Sequence, residues 1–113
     1  MENNNIKIIT DALIGKKAGD VMYIDIKDKT TIADGFIIAS GSSSTQVKAM
    51  YEEVKEKCEE NGLVVRASEG YAEAKWIIID VAGIMVHIFY HKDREFYNIE
   101  RLWVDEDNAT YFR

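Results

Sequence analysis

A chain of 113 residues with a hydrophobic share of 47% has material for one domain around one core, because domains most often fall near about 100–150 residues. Fourteen Lys and Arg against twenty Asp and Glu give a formal net charge of −6, which repels phosphate and disfavours broad nucleic-acid binding through a basic surface. A basic protein or a cation is the more natural partner of such a body. The single cysteine, Cys58, excludes an intrachain disulfide and a cysteine-based metal site, and its helical spacing from Val54 reads as a core thiol.

Met1-Glu2-Asn3-Asn4-Asn5 has no basic segment followed by an apolar run, so no secretory signal is read there. Asn3 to Asn5 offer N-caps to a first helix, with Ile6, Ile9 and Leu13 at spacings of three and four, ended by Gly15 to Gly19. Val21 to Ile26 is a strand of β-branched and aromatic residues, Lys27 to Asp34 a polar connection, and Phe36 to Ser40 a short apolar strand. Ser43, followed by Gln46, matches a capping box at the start of a second helix. Its buried stripe is Val47, Met50, Tyr51, Val54 and Cys58, its solvated face carries Glu52 to Glu60, and Asn61-Gly62 stops it. Leu63 to Ala67 begins a third strand, which Ser68-Glu69-Gly70 leaves.

Trp76 to Val81 and Ile84 to Tyr90 form a hairpin joined by Ala82-Gly83. A two-residue turn sets Val81 opposite Ile84, Ile79 opposite Val86 and Ile77 opposite Ile88, an all-aliphatic core face. The other face carries Trp76, Ile78, Asp80, Met85, His87 and Phe89, mixed and partly ionisable, and is read as open. The longest apolar stretch, Ile84 to Phe89, is interrupted by His87 and too short to span a bilayer, so a cytoplasmic protein without membrane attachment is expected. Asp93 to Tyr97 with Ile99, Leu102 and Trp103 reads as a short helix against the sheet edge, and 105–113 as an acidic tail of the single domain 1–113. The expected architecture is an α/β sandwich with a mixed sheet.

Ala33-Asp34-Gly35-Phe36-Ile37-Ile38-Ala39-Ser40-Gly41, then Ser43, Gln46-Val47 and Ala49, resembles the first signature of the ribosomal silencing factor (Iojap-like) family. Glu69-Gly70, Trp76, Asp80, Val86-His87-Ile88-Phe89, Arg94-Glu95-Phe96-Tyr97, Glu100-Arg101 and Leu102-Trp103 complete the pattern, which runs from about Ile6 to Asp105. Three departures stand out: Gly35 where the family has an aromatic residue, Ala74 near a family glycine, and Val81-Ala82-Gly83 where the family has Tyr-Gly-Asp. The resemblance implies a fold related to nucleotidyltransferases without their catalytic residues. It further implies binding to large-subunit ribosomal protein fourteen, a block on small-subunit joining, lower translation when nutrients are scarce, and homodimers among its members.

Each candidate residue has a plainer reading beside the functional one. His87 and Asp80, diagonal neighbours on one hairpin face, could form a general acid/base pair, but without a nucleophile or third ligand they read better as an oriented histidine in a binding surface. His91 adds no metal site. Gly41-Ser42 stands where a nucleotidyltransferase would cradle phosphate. The following Leu63 to Ala67 lacks paired carboxylates for Mg²⁺, so the turn reads as a helix cap. Trp76, sharing its face with Asp80, is an interface anchor rather than core. Arg94, Glu95 and Glu100, with Phe96 and Tyr97, rim the same face. The expectation is a regulator that is not an enzyme and has no cofactor. It docks through Trp76, Ile78, Asp80, Met85, His87, Arg94, Glu95, Phe96, Tyr97 and Glu100 on a basic protein of the large ribosomal subunit. A degenerate nucleotide-binding protein is the alternative.

Overall fold

The computed structural model describes residues 4–105 and 107–112, Ala67 for its backbone only. Asn3 of the expected N-caps, and Glu106 and Arg113 of the expected tail, lie outside these residues. The apolar spacing of the first segment closes a helix, α1 (Asn4–Gly15), with Ile9, Ala12 and Leu13 buried. It ends inside the expected Gly15 to Gly19 segment, with the left-handed turn at Lys17 and not at a glycine. Lys17 takes the left-handed conformation (φ 62°), and Ala18 N–H returns to the Leu13 carbonyl at 3.1 Å. Strand β1 (Gly19–Asp25) and strand β2 (Gly35–Gly41) follow and pair antiparallel.

Helix α2 (Ser44–Glu60) starts as its sequence predicts: Ser43 Oγ accepts from Gln46 N–H at 3.1 Å. The return bond of the box falls one residue early, on Ser42 N–H, 2.7 Å from Gln46 Oε1. The same Gln46 amide donates to the carbonyls of Lys16 and Lys17 at 3.0 and 2.9 Å, so the cap also ties α2 to the end of α1. Gly62, at φ 77°, lets Leu63 N–H bond back to Cys58 and ends the helix as expected.

Strands β3 (Val65–Glu69), β4 (Trp76–Val81) and β5 (Ile84–Tyr90) come next, then the short helices α3 (His91–Tyr97) and α4 (Glu100–Trp103). A last strand, β6 (Ala109–Phe112), pairs with β1 inside the region read as an acidic tail. The sheet order is β3-β4-β5-β2-β1-β6, mixed because β2 runs parallel to β5 while the other neighbours are antiparallel. The structure is thus a mixed α/β fold with a mixed sheet, as expected.

The hairpin register is the predicted one, Val81 opposite Ile84, Ile79 opposite Val86 and Ile77 opposite Ile88. These six residues lie under α1 and α2 against Ile9, Leu13, Val47, Met50, Val54 and Cys58. Each fully buried aliphatic side chain there contributes ~1.5–3 kcal/mol. The opposite face forms a second core of Met22, Ile24, Ile26, Ala33, Phe36, Ile38 and Phe89. Strand β2 is buried along its whole length because both cores use it.

Two departures from the family pattern acquire a physical meaning here. Ala82, first residue of the hairpin turn, sits at φ 53°, and Ala74 at φ 58°, a region where an L side chain crowds its own backbone. Ala82 is exposed, so its methyl contributes little packing to offset that strain. Ala82→Gly is therefore expected to stabilise the protein by about 1 kcal/mol and to raise Tm by about 4 °C in thermal denaturation.

Candidate functional site

Alternation along β4 and β5 turns Trp76, Ile78, Asp80, Met85, His87 and Phe89 away from α1 and α2. The sequence reads this face as open, but the structure divides it. His87 and Phe89 are buried, 4% and 0% exposed, beside Phe36 and Ile38 of the adjoining strand. Trp76, Ile78, Asp80 and Met85 keep partial access to solvent. Topology is the reason: β5 lies inside the sheet, and the chain after it folds back so that Ile99 and Trp103 cover its half of the face. Glu69 of β3, opposite Ile78 in the ladder and exposed, adds a carboxylate that sequence reasoning did not assign to the site.

Aromatic rings run in a file across this layer. Trp103 meets Phe36 with 5.4 Å between centroids, Phe36 meets His87 at 4.7 Å, and His87 meets Trp76 at 5.9 Å. Trp76 then meets Tyr97 at 4.9 Å, and Tyr97 meets Phe96 edge-on at 5.0 Å. Offset and edge-on pairs of this kind attract by ~0.5–1.5 kcal/mol beyond their buried area. The file is buried at Phe36 and His87 and surfaces at Tyr97 and Phe96, 49% and 80% exposed. Leu102 of α4, also missed as a site residue, is 77% exposed. Large apolar side chains held this far into water on short helices are the signal that sequence patterning alone did not supply.

His87 is not paired with Asp80. The two are diagonal neighbours in the ladder, as expected, but the imidazole Nδ1 accepts from Trp76 Nε1–H at 3.0 Å. Burial pushes its pKa down to about 4, so near neutral pH the ring is uncharged and carries its proton on Nε2. That Nε2–H has no partner among the described residues. His91 opens α3 and is exposed.

Arg94 was expected on the rim and lies beneath it. Its Nη1 donates to the Asp20 carbonyl at 2.7 Å and to Ser40 Oγ at 3.1 Å. Its Nε and Nη2 meet Glu100 Oε2 at 3.2 and 3.1 Å. Glu100 is partly buried, with Oε1 unpartnered among the described residues. The pair therefore joins α3 and α4 to the ends of β1 and β2 instead of presenting two free charges. Glu95 and Phe96 remain exposed, as read from sequence. The Gly41-Ser42 turn borders a cleft of about 600 Å³ with Lys17 and His91, where the Gln46 side chain occupies the Ser42 amide.

Fold and site define a small mixed α/β domain that presents an acidic, aromatic surface beside a layer of short helices. The family described as "Ribosomal silencing factor during starvation" matches residues 2–111. The chain belongs to this family. It is 38% identical to the ribosomal silencing factor RsfS of Bacillus subtilis over 88% of this chain and 85% of that protein. Crystal structures of proteins from Bacillus halodurans and Chromobacterium violaceum superpose with TM-scores of 0.85 and 0.87, at 31% and 33% identity. They cover 98% and 91% of this chain and 100% and 87% of theirs. A mouse protein named mitochondrial assembly of ribosomal large subunit protein 1 is 26% identical over 88% of this chain and 45% of its own length. A ribosome-associated silencing role follows from the family. No helix among the described residues is long and apolar enough to cross a membrane.

Two outcomes test the buried polar groups. Arg94→Ala strands Glu100 and the Asp20 carbonyl and is expected to lower unfolding free energy by about 2–4 kcal/mol in urea titration. For His87, the folded pKa lies below the unfolded value of about 6.5, so the unfolded chain binds the extra proton. Its contribution is complete above about pH 6.5 and is lost as pH falls toward 4. Between pH 7 and 4 the wild type should lose about 2–3 kcal/mol more than His87→Asn, read from denaturation at each pH.

Proposed function

We propose that the protein acts in the cytoplasm as an anti-association factor. It docks on a basic protein of the large ribosomal subunit, ribosomal protein fourteen by family resemblance, and fills space that the small subunit needs. The docking face is Trp76, Ile78, Asp80 and Met85 on the sheet, edged by Glu95, Phe96, Tyr97 and Glu100. His87 and Arg94 serve it from beneath. The observation that carries this reading is the exposure of Phe96 and Tyr97, joined ring to ring with Trp76, whose sheet face also carries Asp80, with Glu69 opposite Ile78 on the next strand. Aromatic anchors supply the apolar burial of an interface, and carboxylates around them select Lys and Arg on the partner.

Steric occupation requires no covalent step, and the reading is of a regulator without catalysis. The kinship with nucleotidyltransferases is part of the proposal for the fold, supported by the Gly41-Ser42 turn between β2 and α2. The same face can receive a second copy of the chain, in which case dimer and ribosome compete for it.

The test is sedimentation of the purified protein with large subunits, followed by addition of small subunits. Co-sedimentation and fewer assembled ribosomes are expected, and Trp76→Ala with Asp80→Ala should weaken binding about tenfold or more. Unchanged binding by the double variant would place the surface elsewhere. Failure of the wild type to bind at low salt would remove the docking reading.

A further inference from the structure

Trp76 is held at the surface by a buried partner rather than by packing alone. Its indole N–H donates to His87 Nδ1 at 3.0 Å, while its ring packs against both Phe89 and Tyr97, each 4.9 Å away between centroids. Packing against two rings fixes the plane of an indole loosely, because a stacked ring can slide or turn over. A hydrogen bond from Nε1 removes both freedoms, since only one edge of the indole carries a donor.

His87 is a costly residue for its site. It is 4% exposed, among Phe36, Trp76 and Phe89, and its Nε2–H is left without a partner among the described residues. A phenylalanine would fill the same space and remove the orphaned Nε2–H, but it would leave the Trp76 N–H without its acceptor. What histidine adds there is the acceptor facing Trp76. An unsatisfied group retained for the sake of one bond to the most central ring of the exposed file indicates that the orientation of that ring matters.

We infer that His87 is a positioning residue for partner binding: it touches no partner, and it fixes the Trp76 indole in the orientation that docks. The inference rests on the docking reading above and adds the residue that pre-organises its anchor. A side chain already locked in its bound rotamer loses less conformational freedom on association, which strengthens binding without a new contact.

The experiment joins nuclear magnetic resonance of the labelled protein with binding to purified large subunits. In the wild type, a scalar coupling between the Trp76 Nε1 and His87 Nδ1 nitrogens is expected. Its absence would overturn the inference. His87→Phe keeps a ring and deletes the acceptor; it should shift the Trp76 indole resonance, retain the native circular dichroism and weaken binding about five- to tenfold. His87→Asn, which restores an acceptor near the Nδ1 position, should recover most of the affinity and serves also if His87→Phe folds poorly. If both variants bind like the wild type while Trp76→Ala binds weakly, the bond is structural only and the positioning role is wrong. If Trp76→Ala also binds like the wild type, the docking reading fails, and this inference with it.

Discussion

The guanidinium of Arg94 holds the layer on which the exposed face depends. Strands β2 and β5 are apolar on both sides, but α1 and α2 cover only one. The other side must be closed by helices of seven and four residues, too short to persist on their own. Arg94 fastens them by a planar fork that reaches Asp20, Ser40 and Glu100 at once, a geometry lysine does not offer. Asp20 is suited to its part. It lies in the register irregularity of β1 at φ 49°, and its carbonyl is taken by the guanidinium.

From that anchorage the aromatic file follows. With α3 held down, Tyr97 stands against Trp76; with α4 in place, Trp103 closes over Phe36. Local rules are broken in this layer. Two buried polar atoms, His87 Nε2 and Glu100 Oε1, lack partners among the described residues, and Phe96 and Leu102 stand in water. Natural sequences tolerate such inconsistencies where something offsets them, and these four residues belong to β5, α3 and α4. The helix-covered core, by contrast, is made of aliphatic side chains in register with little polar interruption.

The departures from the family pattern are absorbed locally. Gly35 lacks a side chain, and the ring of Tyr23 from the neighbouring strand occupies the space a Cβ would need. Ala74 and Ala82 instead keep the left-handed backbone that glycine would adopt freely, and they carry its strain.

How legible each part was depends on the range of the interaction that defines it. The hairpin register, the α2 cap at Ser43 and the stop at Gly62 rest on contacts within a few residues, and the sequence by itself determined them. It also determined which side chains share a face, since alternation follows from strand geometry alone. It did not reveal β6, because four residues at a sheet edge are a strand only through their pairing with β1, far earlier in the chain. Nor did it show that His87 and Arg94 lie under the surface. Alternation says which way a residue points and nothing of what covers it. The cover over this face depends on Arg94 bonding to groups 54 and 74 positions away. Only the folded chain brings those groups together, so tertiary structure alone decided which residues of the mixed face meet solvent and which hold them in place.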